Sequence, residues 1–135
     1  MKPSSILPIR DNLSPQGRDL LQLLLTVIAN PKFQLDNPST YIGYRDCCDR
    51  LGLIKSGMDV PWGRLLQQNG LNELNDWTMY KRLPAVSGLI VNVSGDRAWY
   101  PSGDYFKSHG RPDPDFDWWK GEIAKATTLN WNSFV

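Results

Sequence analysis

A single histidine, His109, and two cysteines, Cys47 and Cys48, leave this 135-residue chain short of the side chains that bind metals or attack substrates. The cysteines are adjacent, and neighbours on a helix point about 100° apart, so they are poorly placed to bridge each other. They read as small buried apolar groups in a reducing compartment, not as a disulfide framework. Charge of one sign is scarce as well: 15 basic residues stand against 14 acidic ones, a net charge of +1. That balance counts against a dedicated phosphate-tracking protein, which is commonly far more basic. No apolar run reaches the ~18 residues of a bilayer span, and Met1 to Pro8 holds no signal-like stretch, so the expected address is cytoplasmic with no membrane partner. Glycine-rich phosphate loops, internal repeats and low-complexity segments are missing too.

What is present is an ordinary globular composition with six tryptophans, large apolar groups that share a core or line a binding face. The length fits one domain over 1–135, with 1–13 as an extended lead-in. Ser14-Pro15 has the chemistry of an N-cap and first helical residue, Leu20, Leu21, Leu24, Leu25, Val27 and Ile28 form an apolar stripe, and Asn30-Pro31 is a stop. A helix over about 15–29 follows. Tyr44, Cys47, Cys48 and Leu51 recur at helical spacing before Gly52, which predicts a second helix over 42–51. Asp59 is the expected cap of a third helix, roughly 60–69, that buries Trp62, Leu65 and Leu66. Asn69-Gly70 breaks or kinks it, and Leu71, Leu74 and Trp77 continue at helical spacing to Arg82, as one bent helix or as two.

The β-branched run Val86 to Val93 reads as a strand, Ser94-Gly95-Asp96 as a turn, and Ala98 to Tyr100 as the returning strand of a hairpin. Residues 107–115 read as loop. Phe116 to Thr127 is the last helix, with Phe116, Trp119 and Ile123 on one side. Leu129, Trp131 and Phe134 form a tail that docks back within 113–135. The fold expected is therefore α+β: a small helical domain with a β-hairpin and a winged-helix-like unit over 40–105.

Thr40-Tyr41, Leu51-Gly52, Trp62-Gly63, Leu83-Pro84, Leu89-Ile90-Val91-Asn92 and the closing Trp-rich helix together resemble a group of small, mostly hypothetical bacterial and phage proteins. That likeness covers residues 40–132 and implies no activity. Segment 40–66 also resembles the helix pair in the DNA-binding half of alkyltransferase-like proteins, which implies a winged-helix scaffold. Those repair enzymes carry a Pro-Cys-His-Arg motif, and neither Cys47 nor Cys48 lies in one, so alkyl transfer is not implied.

Two surfaces carry the functional expectations. Arg64, Gln67 and Gln68 fall on the third helix opposite its apolar residues, with Asn69 at the edge; such side chains make paired hydrogen bonds to purine edges in a major groove, and Arg97 at the hairpin tip is placed to reach a phosphate. A solvated polar helix face is the plain alternative. Trp99, Tyr100, Tyr105, Phe106, Lys107, His109 and Arg111 form an aromatic-basic cluster that can stack a base and neutralise its phosphate, or simply pack on the last helix. Trp118 neighbours Trp119 and cannot share its direction, which suits a protein-partner anchor. Asp113, Asp115 and Asp117 fit neither an EF-hand loop nor a nuclease motif and are expected to cap the last helix. The reading is a non-enzymatic, winged-helix-like nucleic-acid-binding or regulatory domain with duplex DNA as partner. The alternative is a small protein-interaction module, an inhibitor or adaptor in a phage or bacterial-defence setting. A nucleotide-binding or hydrolysing protein requires His109 and the acids to converge. No catalytic residue, metal or cofactor is assigned.

Overall fold

The computed structural model describes residues 13–54 and 60–134. Its first helix, α1 (Pro15–Ala29), begins as its sequence dictates: the Ser14 hydroxyl oxygen accepts from the Gly17 amide at 3.2 Å, and Pro15 fills the first turn where no donor is needed. Leu20, Leu21, Leu24 and Val27 are buried along it, and Asn30 turns extended ahead of Pro31. Fully burying each such leucine contributes roughly 1.5–3 kcal/mol. The same Ser14 hydroxyl bonds the Glu73 carboxylate, tying the start of α1 to a helix far along the chain.

A short 3-10 turn, Pro38–Thr40, leads into β1 (Ile42–Gly43) and then α2 (Tyr44–Arg50), whose buried face is Cys47 and Cys48. Gly52 ends this unit with φ of +70°, as its position suggests. The Asp59 cap and most of the 1–13 lead-in lie outside the described residues, although Leu13 is buried in the core. The third helix is shorter than its periodicity suggests: α3 is Trp62–Leu66, followed by a wide π-type turn, Gln67–Leu71, and then α4 (Asn72–Lys81). Asn69 and Gly70 leave helical geometry between them, so the stretch is one bent rod. Gly70 has φ of +126°, and a Cβ there would lie 2.9 Å from the Gln16 carbonyl oxygen of α1, so glycine is needed on both counts.

The expected hairpin is where the molecule departs most from its sequence pattern. Val86–Leu89 is a 3-10 turn, and only Ile90–Val91 is strand. This β2 pairs in parallel with β1 in the register Ile42↔Ile90 and Gly43↔Val91, and makes no antiparallel ladder with residues 98–100. The reason is that side chains take up backbone groups at both ends of 85–88. Glu122 accepts from the Ala85 amide at 3.1 Å, the Tyr105 hydroxyl donates to the Ala85 carbonyl at 2.9 Å, and the Trp119 indole donates to the Gly88 carbonyl at 2.9 Å. Backbone groups already paired have no call for a neighbouring strand. Beyond β2, residues 92–100 close as a tight loop in which Asn92 receives from the Trp99 amide at 2.7 Å and donates its own amide to the Tyr100 carbonyl at 3.1 Å.

A further helix, α5 (Gly103–Ser108), buries Tyr105 and Phe106 and takes in Lys107 and Ser108, the first two residues of the stretch expected as loop. The last helix, α6 (Phe116–Thr128), is capped by Asp115, whose carboxylate accepts from the Trp118 amide at 3.2 Å. Trp119, Ile123 and Ala126 face inward, whereas Phe116, expected on that face, is 42% exposed and meets Tyr100 edge-on. Trp131 docks back as its composition suggests, its indole donating to the Ala126 carbonyl at 2.9 Å, while Phe134 stays 40% exposed. One hydrophobic core runs through these elements, with Trp77 and Phe106 its largest fully buried side chains. The architecture is thus a small, mostly helical α+β unit with a two-stranded parallel sheet. Among the described residues no helix is long and apolar enough to cross a membrane.

Candidate binding cleft

α3 sits at the edge of an open groove. Its first part, about 490 Å³, lies between Tyr44 and Arg45 of α2, Trp62, Arg64 and Gln67 of the α3 region, and Val91 of β2 with Asn92 to Ser94 after it. Its second part, about 430 Å³, is bounded by Leu71 and Asn75 of the bent rod, Ser87, and Tyr105 and Lys107 of α5. Tyr44, Gln67, Ser102 and Asp104 border both parts. At this waist the Gln67 amide donates to the Asp104 carboxylate at 3.1 Å.

The wall is fixed by hydrogen bonds. The Ser102 amide donates to the Tyr44 hydroxyl oxygen at 3.1 Å, and burial pushes that phenol above its usual range, so it stays neutral. The Cys48 thiol lies 3.5 Å from the Trp62 carbonyl, and burial raises the Cys47 thiol far above the ordinary thiol range. Burial thus keeps the Cys47 sulfur protonated. Deep in the second part, the Ser87 hydroxyl donates to the Asn75 side-chain oxygen at 2.5 Å, and both residues are buried. The Asn75 amide nitrogen has no partner among the described residues.

Arg64 and Gln68 are exposed, and neither makes an ion pair or hydrogen bond among the described residues. Gln67 is half-buried and committed to Asp104. Arg45 is exposed, with a long 3.9 Å contact to Asp49 and its guanidinium 5.7 Å from the Trp62 ring centre. Asn69, expected at the readout edge, is spent on structure: its amide donates to the Leu65 carbonyl at 2.7 Å and its oxygen accepts from Gln16 at 3.3 Å. It closes the end of α3 where the bend removes the helical partners.

Arg97 is not a free tip residue. It is half-buried, donates to the Pro101 carbonyl at 2.9 Å and to Asp113 at 2.8 Å, and lies 4.9 Å from the Tyr100 ring centre. The loop folds its cation inward because no extended hairpin carries it outward. The aromatic-basic cluster is also largely occupied. Tyr105 is buried, and Tyr100 is half-buried, its hydroxyl donating to the Asp96 carbonyl at 3.0 Å. His109 donates from Nδ1 to the Tyr105 carbonyl at 2.7 Å and packs between Tyr105 and Trp118, while its Nε2 is buried without a partner. Burial holds its imidazole below the ordinary value, against the opposing influence of that carbonyl and of Glu122. Trp118 is half-buried in this stack, and Arg111 lies over it at 5.7 Å while pairing with Asp115 at 2.5 Å. That guanidinium and the Trp118 amide hold the Asp115 carboxyl below its usual range. Only Trp99, 44% exposed, and Lys107 remain open to a partner, and Trp99 is held at φ of +72°.

Asp113 and Asp115 are thus bound to arginines, and among the described residues no three His, Cys, Asp or Glu side chains gather as a metal site requires. The groove carries Arg64 and Arg45 at one end, and the Asn75 amide, the Ser87 hydroxyl and Lys107 at the other. Compared with protein-family models, curated proteins and solved structures, the chain finds no match. The Asn75, Ser87 and Asp104 contributions were missed by sequence reasoning. One signal was available for Asn75: a polar residue on the buried stripe Leu71, Leu74, Asn75, Thr78 of a helix, where an amide must find a reason to be.

Proposed function

We propose that this protein binds nucleic acid through the surface around α3, in the manner of a winged-helix-like domain in which α2 braces α3 and the loop 92–100 stands in the place of a shortened wing. The observation that carries this reading is a pair of exposed donors without a partner among the described residues, Arg64 on α3 and Gln68 in the turn that follows it, with Arg64 and Arg45 both lining an open groove. Arginine and glutamine make bidentate contacts with guanine and adenine edges, and further cations neutralise phosphates. Two or three such contacts suit a protein whose net charge is only +1. Duplex DNA is the preferred partner because a helix enters its major groove.

The test is fluorescence anisotropy of mixed-sequence duplex and single-stranded DNA at low and at physiological salt. The expected result is binding that weakens with salt, each phosphate contact contributing a log–log slope of about 0.9. Replacing Arg64 and Gln68 together with alanine is expected to abolish it while leaving the melting temperature in place. Undiminished binding by that double variant refutes the reading.

A protein-interaction role has one specific support: Trp99, a bulky residue with positive φ, is held exposed by the Asn92 hydrogen bonds. Left-handed backbone at such a residue costs on the order of 1–3 kcal/mol and persists only where surroundings enforce it. A salt-insensitive complex lost on Trp99→Ala would favour this second reading over the first.

A further inference from the structure

Beyond nucleic-acid binding, and without requiring it, we propose that the groove is a site for a free ribonucleoside monophosphate, with the base in the Asn75–Ser87 chamber, the ribose at Asp104 and the phosphate at Arg64 and Arg45. The argument is the order of chemistry along the groove. The inner chamber, about 430 Å³, falls within the range of small-ligand pockets. In it stand a carboxamide that is 7% exposed and a hydroxyl that is 4% exposed, both uncharged. Ser87 holds the Asn75 oxygen at 2.5 Å, which orients the carboxamide and leaves its N–H groups without a partner among the described residues. A fixed, unpaired amide donor in a concave wall is suited to the edge of a nucleobase, whose ring nitrogens and carbonyls accept hydrogen bonds. Leu71 adds an apolar surface for the ring face.

The waist is acidic. Asp104 receives one hydrogen bond from Gln67, at 3.1 Å, and its carboxylate retains capacity to accept more. An acceptor-only group at this point matches the two hydroxyls of a ribose and repels a phosphate, which sets the ligand's direction. The outer part, about 490 Å³, is cationic: Arg64 is uncommitted, and Arg45 is held only by its 3.9 Å contact with Asp49 and its position near Trp62. Amide donor, acid, then a pair of arginines along one groove corresponds to base, sugar, then phosphate, with Lys107 the one cation that borders the inner chamber. A free phosphate satisfies only the last of these, and a deoxynucleotide lacks one partner for Asp104.

Calorimetric titration of the full chain with the four ribonucleoside 5′-monophosphates, their nucleosides, their deoxy counterparts and inorganic phosphate tests this. At least one ribonucleotide is expected to saturate, with its nucleoside and its deoxy form each about tenfold weaker and phosphate not saturating. Arg64→Ala is expected to weaken the nucleotide about tenfold and leave the nucleoside unchanged, and Asp104→Asn to erase the preference for ribose. Both residues are exposed, so these variants are expected to fold, whereas the buried Asn75 is not needed for the test. Absence of saturable binding by all four ribonucleotides overturns the proposal, as does binding that neither variant alters. Oligonucleotide binding accompanied by silence from every mononucleotide overturns this inference and leaves the proposed function standing; mononucleotide binding without oligonucleotide binding does the reverse.

Discussion

Arg64 and Arg97 look alike as residue types near turns of a small basic surface, yet they live in opposite circumstances. Arg64 stands exposed on α3 with no partner among the described residues, beside an open groove. Arg97 is wedged in the 92–100 loop, satisfied by a carbonyl, a carboxylate and an aromatic ring. The same division runs through their neighbourhoods: around α3 donors are spare, whereas Arg97, Tyr100, Arg111, Asp113 and Asp115 are each bonded within the chain. A cation whose outer donors are held by its own fold has less left for a ligand, because displacing internal partners costs what the new contacts return. Function is therefore to be sought where the fold leaves donors unspent.

The sharpest way to break this contrast is to disturb the bend that sets α3. Gly70→Ala meets both a forbidding φ of +126° and the Gln16 carbonyl 2.9 Å away, so a loss of about 3 kcal/mol is expected in denaturant unfolding, together with loss of any α3-dependent binding. Arg97→Ala is expected to cost about 2 kcal/mol, since it strands a partly buried Asp113, while DNA affinity stays unchanged. Arg64→Ala should give the mirror image: stability within about 0.5 kcal/mol of the parent and binding removed. Equal stability losses at the two arginines would dissolve the comparison.

His109 sharpens it through pH. Its folded pKa lies below the ordinary value near 6.5, so the unfolded chain holds more protons in that range. The stability this neutral, stacked imidazole contributes is complete above about 6.5 and is lost as pH falls from there toward the lowered folded value. The melting temperature is expected to drop between pH 7.5 and 5.5, and His109→Phe, which keeps the ring between Tyr105 and Trp118, should flatten that drop. A parallel fall in the variant would assign the effect elsewhere.

Local signals were read well where they are self-contained. Ser14-Pro15, the leucine stripe and Asn30-Pro31 specify α1 without help from the rest of the chain, and Asn69-Gly70 marks the bend between α3 and α4 in two residues. The failures share a cause in distance. Val86 to Leu89 has the composition of a strand, but Asn75 and Trp119 from other helices claim the Ser87 hydroxyl and the Gly88 carbonyl, and Tyr105 and Glu122 hold the backbone of the preceding Ala85. α5 is a single turn and a half flanked by Pro101, Ser102 and Gly110, residues that advertise loop, and its adjacent Tyr105 and Phe106 show no period. At the groove, Arg64 was visible as a polar position on an amphipathic helix. Asp104 was not, because nothing nearby in sequence announces that Gln67, 37 residues earlier, will meet it.

The parallel pairing of Ile42 with Ile90 has a consequence for the order of events as the chain folds. Ladders between remote residues form late, after nearer helices have condensed and shortened the loop to be closed. Tyr44 and Arg45 follow one strand directly and Asn92 and Val93 the other, so the groove is assembled by the same closure. Amide hydrogen exchange at β2 should then report two things at once, the last contact made in folding and the first surface lost when the molecule loosens.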